Sequence, residues 1–129
     1  MATIAVGCDH AGYHLKECLV AELRTLGHEV LDLGTDSTDR VDYPDFGFAV
    51  ARAVAGGEAT AGVAGCGSGG GIAMAANKVS GVRAGMAFNE ATAINAAEHN
   101  GAHVLTLGAS YLDESAAIPI VDAFLSRTC

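Results

Sequence analysis

One stretch of this chain leaves little freedom in how it can fold: Gly62-Val63-Ala64-Gly65-Cys66-Gly67-Ser68-Gly69-Gly70-Gly71-Ile72. The apolar run from Ala59 to Ala64 reads as a short buried strand. It breaks at Cys66 into glycines with Ser68 among them, and the alanine-rich Ile72-Ala73-Met74-Ala75-Ala76 then reads as helix. A strand that feeds a glycine loop and then a helix leaves unbonded backbone N–H groups at the helix start, where the helix dipole also favours negative charge. Glycine lets a ligand lie against the backbone with no Cβ in the way. Cys66 ends the strand, so its sulfur is expected to face that place. A thiol beside an anion cradle is a candidate catalytic arrangement.

The same grammar runs along the whole chain. Thr3–Cys8 reads as a first strand, apolar on both faces, and Asp9 can cap the helix after it. Leu15, Cys18, Leu19, Leu23 and Leu26 recur at helical spacing as the buried stripe of that helix, which Gly27 stops. His28–Leu33 is a second strand. A long polar loop, Gly34–Asp45, carries Asp42-Tyr43-Pro44 near its end, and loops of such length are often functional. Phe46–Ala55 is a second helix, and the helix after the glycine loop runs to about Lys78. Gly81–Ala87 holds a fourth strand, Asn89 caps a fourth helix ending at His99-Asn100-Gly101, and Ala102–Leu107 is a fifth strand. Leu112–Ser126 is a last helix, with Pro119 a candidate kink. Five alternations of short apolar strands with helices predict a parallel sheet covered by helices on both faces, in a single domain over residues 1–129.

Ligands of such sheets bind outside the carboxyl ends of the strands. Those ends supply Cys8-Asp9-His10, the loop before Pro44, and Cys66–Gly71. His99-Asn100 closes a helix instead, so it belongs to the opposite edge of the same subunit. To act in the same site it must come from a second subunit.

Composition narrows the function. The chain has 129 residues, half of them hydrophobic, and a formal charge of −8, which argues against nucleic acid or an anionic membrane as partner. No run of about 18 apolar residues predicts a membrane span. The N-terminus lacks the basic and apolar regions of a signal peptide. Four cysteines without C-x-x-C pairing favour free thiols in a reducing cytoplasm.

Each candidate residue also has an ordinary reading. Free cysteine is a common core residue, and Cys18 is read that way, while Cys129 has no evident role. The position of Cys66 between a strand end and a helix start tips it toward function. Asp9 can be only a cap, His10 is equally open, and His99 can merely meet a helix dipole. Cys8, Asp9, His10, Cys66 and His99 follow no zinc spacing. The glycine loop follows the third strand and lacks dinucleotide spacing, so no nicotinamide or flavin cofactor is expected.

Taken together, Gly7-Cys8-Asp9-His10-Ala11-Gly12, Asp42-Tyr43-Pro44, Cys66–Gly71, Ala75-Ala76-Asn77-Lys78 and Glu98-His99-Asn100 resemble the ribose-5-phosphate isomerase B and galactose-6-phosphate isomerase family, in the same order and over nearly the whole chain. The resemblance implies a three-layer α/β/α Rossmann-like fold with a five-stranded parallel sheet in the order 2-1-3-5-4. It also implies a homodimer with shared active sites, paired into tetramers in some members. The implied reaction is a metal-free, cofactor-free aldose–ketose isomerisation through a cis-enediolate. Cys66 takes the role of the base between C1 and C2, its thiolate favoured by helix-start amides. In another branch of the family that base is a glutamate at the position of Ile72. Backbone N–H groups of Gly67, Gly69, Gly70 and Gly71 form an oxyanion hole, worth about 3–4 kcal/mol per donor lost in comparable sites. Ser68 bonds the reacting oxygens, and His99 opens the sugar ring from the partner subunit. Asp9, Tyr43 and Asn100 hold hydroxyls, and His10 meets the phosphate.

Two departures bear on the substrate. The family usually places an arginine after the fifth strand, where this chain has Ser110, which reads instead as a helix cap in Ser110-Tyr111-Leu112-Asp113. Two further arginines usually lie in a tail beyond the last helix, and this sequence stops at Cys129. Charge-assisted bonds to phosphate are strong, so weak use of ribose 5-phosphate is expected unless Arg40, Arg127 or His10 takes over. The alternatives are an isomerase of a different or unphosphorylated small sugar, or a non-catalytic sugar-phosphate binder or heteromer subunit. An intact Cys66, Ser68 and His99 argue against the binder.

Overall fold

The computed structural model describes residues 2–128; Met1 and Cys129 lie outside the described residues. Five strands, β1 (Thr3–Cys8), β2 (Glu29–Asp32), β3 (Ala61–Cys66), β4 (Ala84–Met86) and β5 (Val104–Gly108), form one parallel sheet in the order β2-β1-β3-β5-β4. Five helices alternate with them: α1 (Tyr13–Thr25), α2 (Tyr43–Ala55), α3 (Gly70–Asn77), α4 (Glu90–Glu98) and α5 (Glu114–Leu125). A 3₁₀ turn, His10–Gly12, leads into α1.

Strand alternation divides the core between the two faces. Ile4 and Val6 of β1, Val63 of β3, and Leu105 and Leu107 of β5 pack with α1, α4 and α5 around Phe124. Ala5, Ala64, Cys66 and Val104 face the other way, onto Val50 of α2 and Ile72 of α3. Each large apolar side chain buried in these layers contributes about 1.5–3 kcal/mol. Helix α2 sits very close to the sheet: a Cβ on Gly62 would come within 2.5 Å of Val50 Cγ1. A glycine in mid-strand here reflects close approach of another element.

Several local expectations are corrected. Helix α2 begins at Tyr43, a turn earlier than Phe46, because Pro44 falls in its first turn, where a missing N–H costs nothing. Tyr43 is therefore held by a helix and not by a loose loop. Strand β4 is shorter than Gly81–Ala87, and Pro119 lies inside α5. The buried stripe of α1 is Leu15, Lys16, Leu19, Val20 and Leu23. Leu26 is 51% exposed and Cys18 only half-buried. Lys16, 1% exposed, is drawn in by Asp32 at the end of β2, whose carboxylate accepts from Nζ at 2.9 Å. Burial works against its charge, but the hydrogen bonds to Asp32 and Glu17 prevail and hold the ammonium pKa above its ordinary value. Ser110 does not cap α5. Asp113 occupies the N-cap position, and the Ser110 N–H donates to the Gly67 carbonyl at 3.0 Å.

Among the described residues, no helix is long and apolar enough to cross a membrane.

Candidate active site

The chain leaves β1 in one direction to form β2 and returns past it to form β3, so the order reverses between β1 and β3. In open parallel sheets the crevice at the carboxyl ends of such a pair is where ligands bind. Cys8 and Cys66 end these two strands, with Cys8 opposite Gly65 in register.

The two thiols differ sharply. Cys8 is fully buried, walled by Gly12 and Gly65: a Cβ on either would come within 2.8–3.2 Å of its sulfur. Burial, with the charge of Asp9 adding to it, pushes this thiol up to about 12. It stays protonated and serves the core. Cys66 is 5% exposed, and the Gly69 N–H donates to its sulfur at 3.2 Å.

That bond follows from the shape of the loop. Gly69 lies in the left-handed region, φ +83°, and caps α3. The conformation favours glycine over any L side chain. A Cβ there would also come within 2.9 Å of the Gly108 nitrogen. The Gly70 N–H donates to Ser68 Oγ at 3.2 Å. The N–H groups of Gly67, Ser68 and Gly71 have no acceptor among the described residues. Orphan amides at a helix start beside a thiol are suited to hold a developing oxyanion.

Neighbouring elements wall this cradle. The ring of Tyr43 lies against Gly71, where a Cβ would meet it at 2.8 Å. Ser110 Oγ lies 3.4 Å from the Cβ position of Gly67, and Met86 Sδ 3.1 Å from that of Gly69. Asp9 is buried, and its carboxylate accepts from the Ala11 N–H at 3.0 Å, so it does cap the 3₁₀ turn. His10 Nδ1 is pinned by the Val41 backbone, 3.1 Å from its N–H, leaving Nε2 as the free ring nitrogen. Ile72 is wholly buried, in the same core layer as Cys66, and packs against Gly47 of α2. One participant was not read from the sequence: Thr106, buried on β5, donates from Oγ1 to the Gly69 carbonyl at 3.0 Å. Its signal was a lone polar residue within Val104-Leu105-Thr106-Leu107.

His99 and Asn100 stand apart from this group. They follow the end of α4 and precede β5, whose first residue, Val104, pairs with Gly62, whereas its last, Gly108, pairs with Cys66. Four residues of parallel strand separate the two levels by about 13 Å. Arg127 is also at the far edge, paired with Glu98 at 2.9 Å, while Arg40 adjoins Val41 in the loop that holds His10. Among the described residues, no three His, Cys, Asp or Glu side chains converge as a metal site would require.

A family model described as Ribose/Galactose Isomerase matches residues 4–129. Ribose-5-phosphate isomerase B of Escherichia coli (strain K12) is 46% identical over 125 residues, covering 97% of this chain and 84% of that protein. The solved structure of Clostridium thermocellum ribose-5-phosphate isomerase B matches with a TM-score of 0.96 at 44% identity, over 98% of this chain and 85% of the other. The Mycoplasma genitalium ribose-5-phosphate isomerase B solved with bound ribulose-5-phosphate matches with a TM-score of 0.91 at 40% identity, over 98% of this chain and 84% of the other.

Proposed function

This chain belongs to the ribose/galactose isomerase family and is an aldose–ketose isomerase, and we propose that Cys66 moves the proton in its interconversion of ribose 5-phosphate and ribulose 5-phosphate. The observation that carries this reading is the Gly69 N–H on the Cys66 sulfur, at the strand-order reversal and beside unbonded amides.

The open-chain aldose lies with C1 and C2 at the sulfur. The Cys66 thiolate takes the proton from C2, and the electron pair left behind forms the C1–C2 double bond as the carbonyl electrons move to O1. The unbonded amides of Gly67, Ser68 and Gly71 hold the resulting negative charge. The thiol then returns its proton to C1. A second proton passes from O2 to O1, carried by the Ser68 hydroxyl, which gives the ketose. Tyr43, against Gly71, and Asp9 hold sugar hydroxyls, and the free Nε2 of His10 meets the phosphate, with the guanidinium of Arg40 in the adjoining loop. Serine at position 110, where the resemblance expects arginine, favours a second reading in which a less tightly clamped sugar is also turned over.

His99 opens the sugar ring from a second subunit, with Asn100 beside it on a hydroxyl. This homodimer is supported by the placement of His99 away from the Cys66 cradle. It is also supported by the exposed apolar side chains Met74, Met86 and Phe88 on the α3–β4 side next to that cradle. The free thiols of Cys8, Cys18 and Cys66 suit a reducing cytoplasm.

Solvent deuterium incorporation at C1 and C2 tests the base. A serine hydroxyl is far less acidic than a thiol, so Cys66→Ser is expected to keep the wild-type circular dichroism and to lose most exchange. Exchange at the wild-type rate would remove Cys66 from the mechanism.

A further inference from the structure

Thr106 is out of place by the ordinary rules of this sheet. It is wholly buried in β5, where its neighbours Val104, Leu105 and Leu107 are apolar. Valine has the same shape and the higher fitness for such a strand. Burying a hydroxyl costs stability unless the hydroxyl is bonded. Its one side-chain bond runs to the Gly69 carbonyl at 3.0 Å, 37 residues away in the sequence. That carbonyl also accepts from the Ala73 N–H at the start of α3, but at the longer 3.3 Å.

The consequence lies on the other side of the peptide plane. In a trans peptide the carbonyl and the next N–H point in opposite directions. A Gly69 carbonyl held toward β5 therefore turns the Gly70 N–H away from β5, where it meets Ser68 Oγ at 3.2 Å. The same bond fixes ψ of Gly69, a residue with no Cβ of its own to limit it. With φ at +83° and ψ at −20°, the preceding plane carries the Gly69 N–H onto the Cys66 sulfur at 3.2 Å. One buried hydroxyl thus orients two amides, one on the sulfur and one on the serine.

We propose that Thr106 is a positioning residue for the isomerisation: it touches neither sugar nor sulfur, and it sets the loop geometry in which Cys66 and Ser68 receive their amide bonds. The proposal rests on the reading of Cys66 as base, and its test separates the two. Thr106→Val removes the hydroxyl at constant shape, Thr106→Ser keeps it, and Thr106→Cys, which donates only weakly, stands in if the valine variant does not fold. Each is assayed for kcat and KM on ribose 5-phosphate and for the rate at which iodoacetamide modifies Cys66 at neutral pH, followed on the Cys66 peptide by mass spectrometry.

The loss of one hydrogen bond corresponds to about a tenfold change. Thr106→Val (or →Cys) is expected to lower kcat by about tenfold with KM within about twofold, and to slow Cys66 modification by a similar factor. Thr106→Ser is expected to stay near wild type in both. Wild-type kcat and wild-type Cys66 modification in folded Thr106→Val or Thr106→Cys would overturn the proposal. Equal losses in the serine and valine variants would overturn it too, since the hydroxyl would then not be what matters. If Cys66 modification slows as expected but Cys66→Ser retains full exchange, Thr106 positions the loop as stated and the assignment of the base is what fails.

Discussion

The Gly69 N–H reaches the Cys66 sulfur across 3.2 Å because Gly69 holds φ at +83°, a conformation that L side chains rarely adopt. Gly69→Ala would add about 1–2 kcal/mol of left-handed strain and a Cβ 2.9 Å from the Gly108 nitrogen, a backbone atom that cannot swing aside. The loop must move, so kcat is expected to fall at least about tenfold, consistent with the loss of an oriented donor. Gly81→Ala is the control: φ is +85° there, but a Cβ meets nothing within 4 Å. It is expected to lower the melting temperature and spare kcat.

Cys8 and Cys66 are expected to part company in alkylation. With burial holding Cys8 at about 12, its peptide should remain unmodified in native protein at pH 8 to 9, while the Cys66 peptide is labelled. The same shift enters stability. A folded-state pKa raised above the ordinary value of 9.0 means that the native state keeps a proton the unfolded chain gives up. The stability Cys8 contributes is fully present below about 9 and is lost as pH rises from there to about 12. Urea midpoints measured across that window should decline less steeply in Cys8→Ala than in wild type. Parallel declines would place the alkaline instability elsewhere.

If His99 serves the neighbouring subunit's Cys66, two dead variants can complement each other. Equal mixing of Cys66→Ser and His99→Ala subunits with free exchange makes half of the dimers mixed, each with one intact site. About a quarter of native activity is then expected, and about half in purified mixed dimers, by the symmetry of a two-fold interface. Verified mixed dimers without activity would show that the two residues do not share a site across subunits.

Ser110 lies beside Gly67, close enough to the cradle for a longer side chain to reach a ligand there. A charged hydrogen bond is worth about 1.5–3 kcal/mol, so Ser110→Arg is expected to lower KM for ribose 5-phosphate by about tenfold or more. It is expected to leave unphosphorylated ribose unchanged. A kcat/KM comparison over phosphorylated and unphosphorylated sugars decides it, and an equal effect on both classes would exclude a phosphate contact at this position.

Much of the fold was legible in the order of residues. Alternating apolar strands and helical stripes are local patterns with different periods, and they place all five strands and all five helices, with errors confined to their ends. The glycine loop was legible because a thiol, a serine and four further glycines in six positions have few other uses. The remoteness of His99 from Cys66 was legible as well, since one ends a helix and the other a strand in a parallel alternation. The errors have a common cause. Spacing places Leu26 in the core, and a four-residue pattern makes Ser110 a helix cap. Each is decided by what lies beyond the local pattern: the end of α1 at Thr25 for Leu26, and Gly67, far along the chain, for Ser110.

By itself the sequence determined the layered parallel architecture, the strand–glycine–helix cradle and the set of residue types brought to it, because these follow from periodicity and from what glycine alone permits. Only the tertiary structure decided which of two strand-end thiols is sealed in the core, which one receives an amide, and which polar groups are tied up in holding the loop. Cys8 and Cys66 occupy equivalent places in the local pattern, and what separates them is the company each keeps. Gly12 and Gly65 close over one sulfur and leave it desolvated, while Gly69, its carbonyl held by Thr106 of the neighbouring strand β5, turns an amide toward the other. Desolvation and hydrogen-bond direction depend on atoms brought together from distant parts of the chain, and no local pattern carries them.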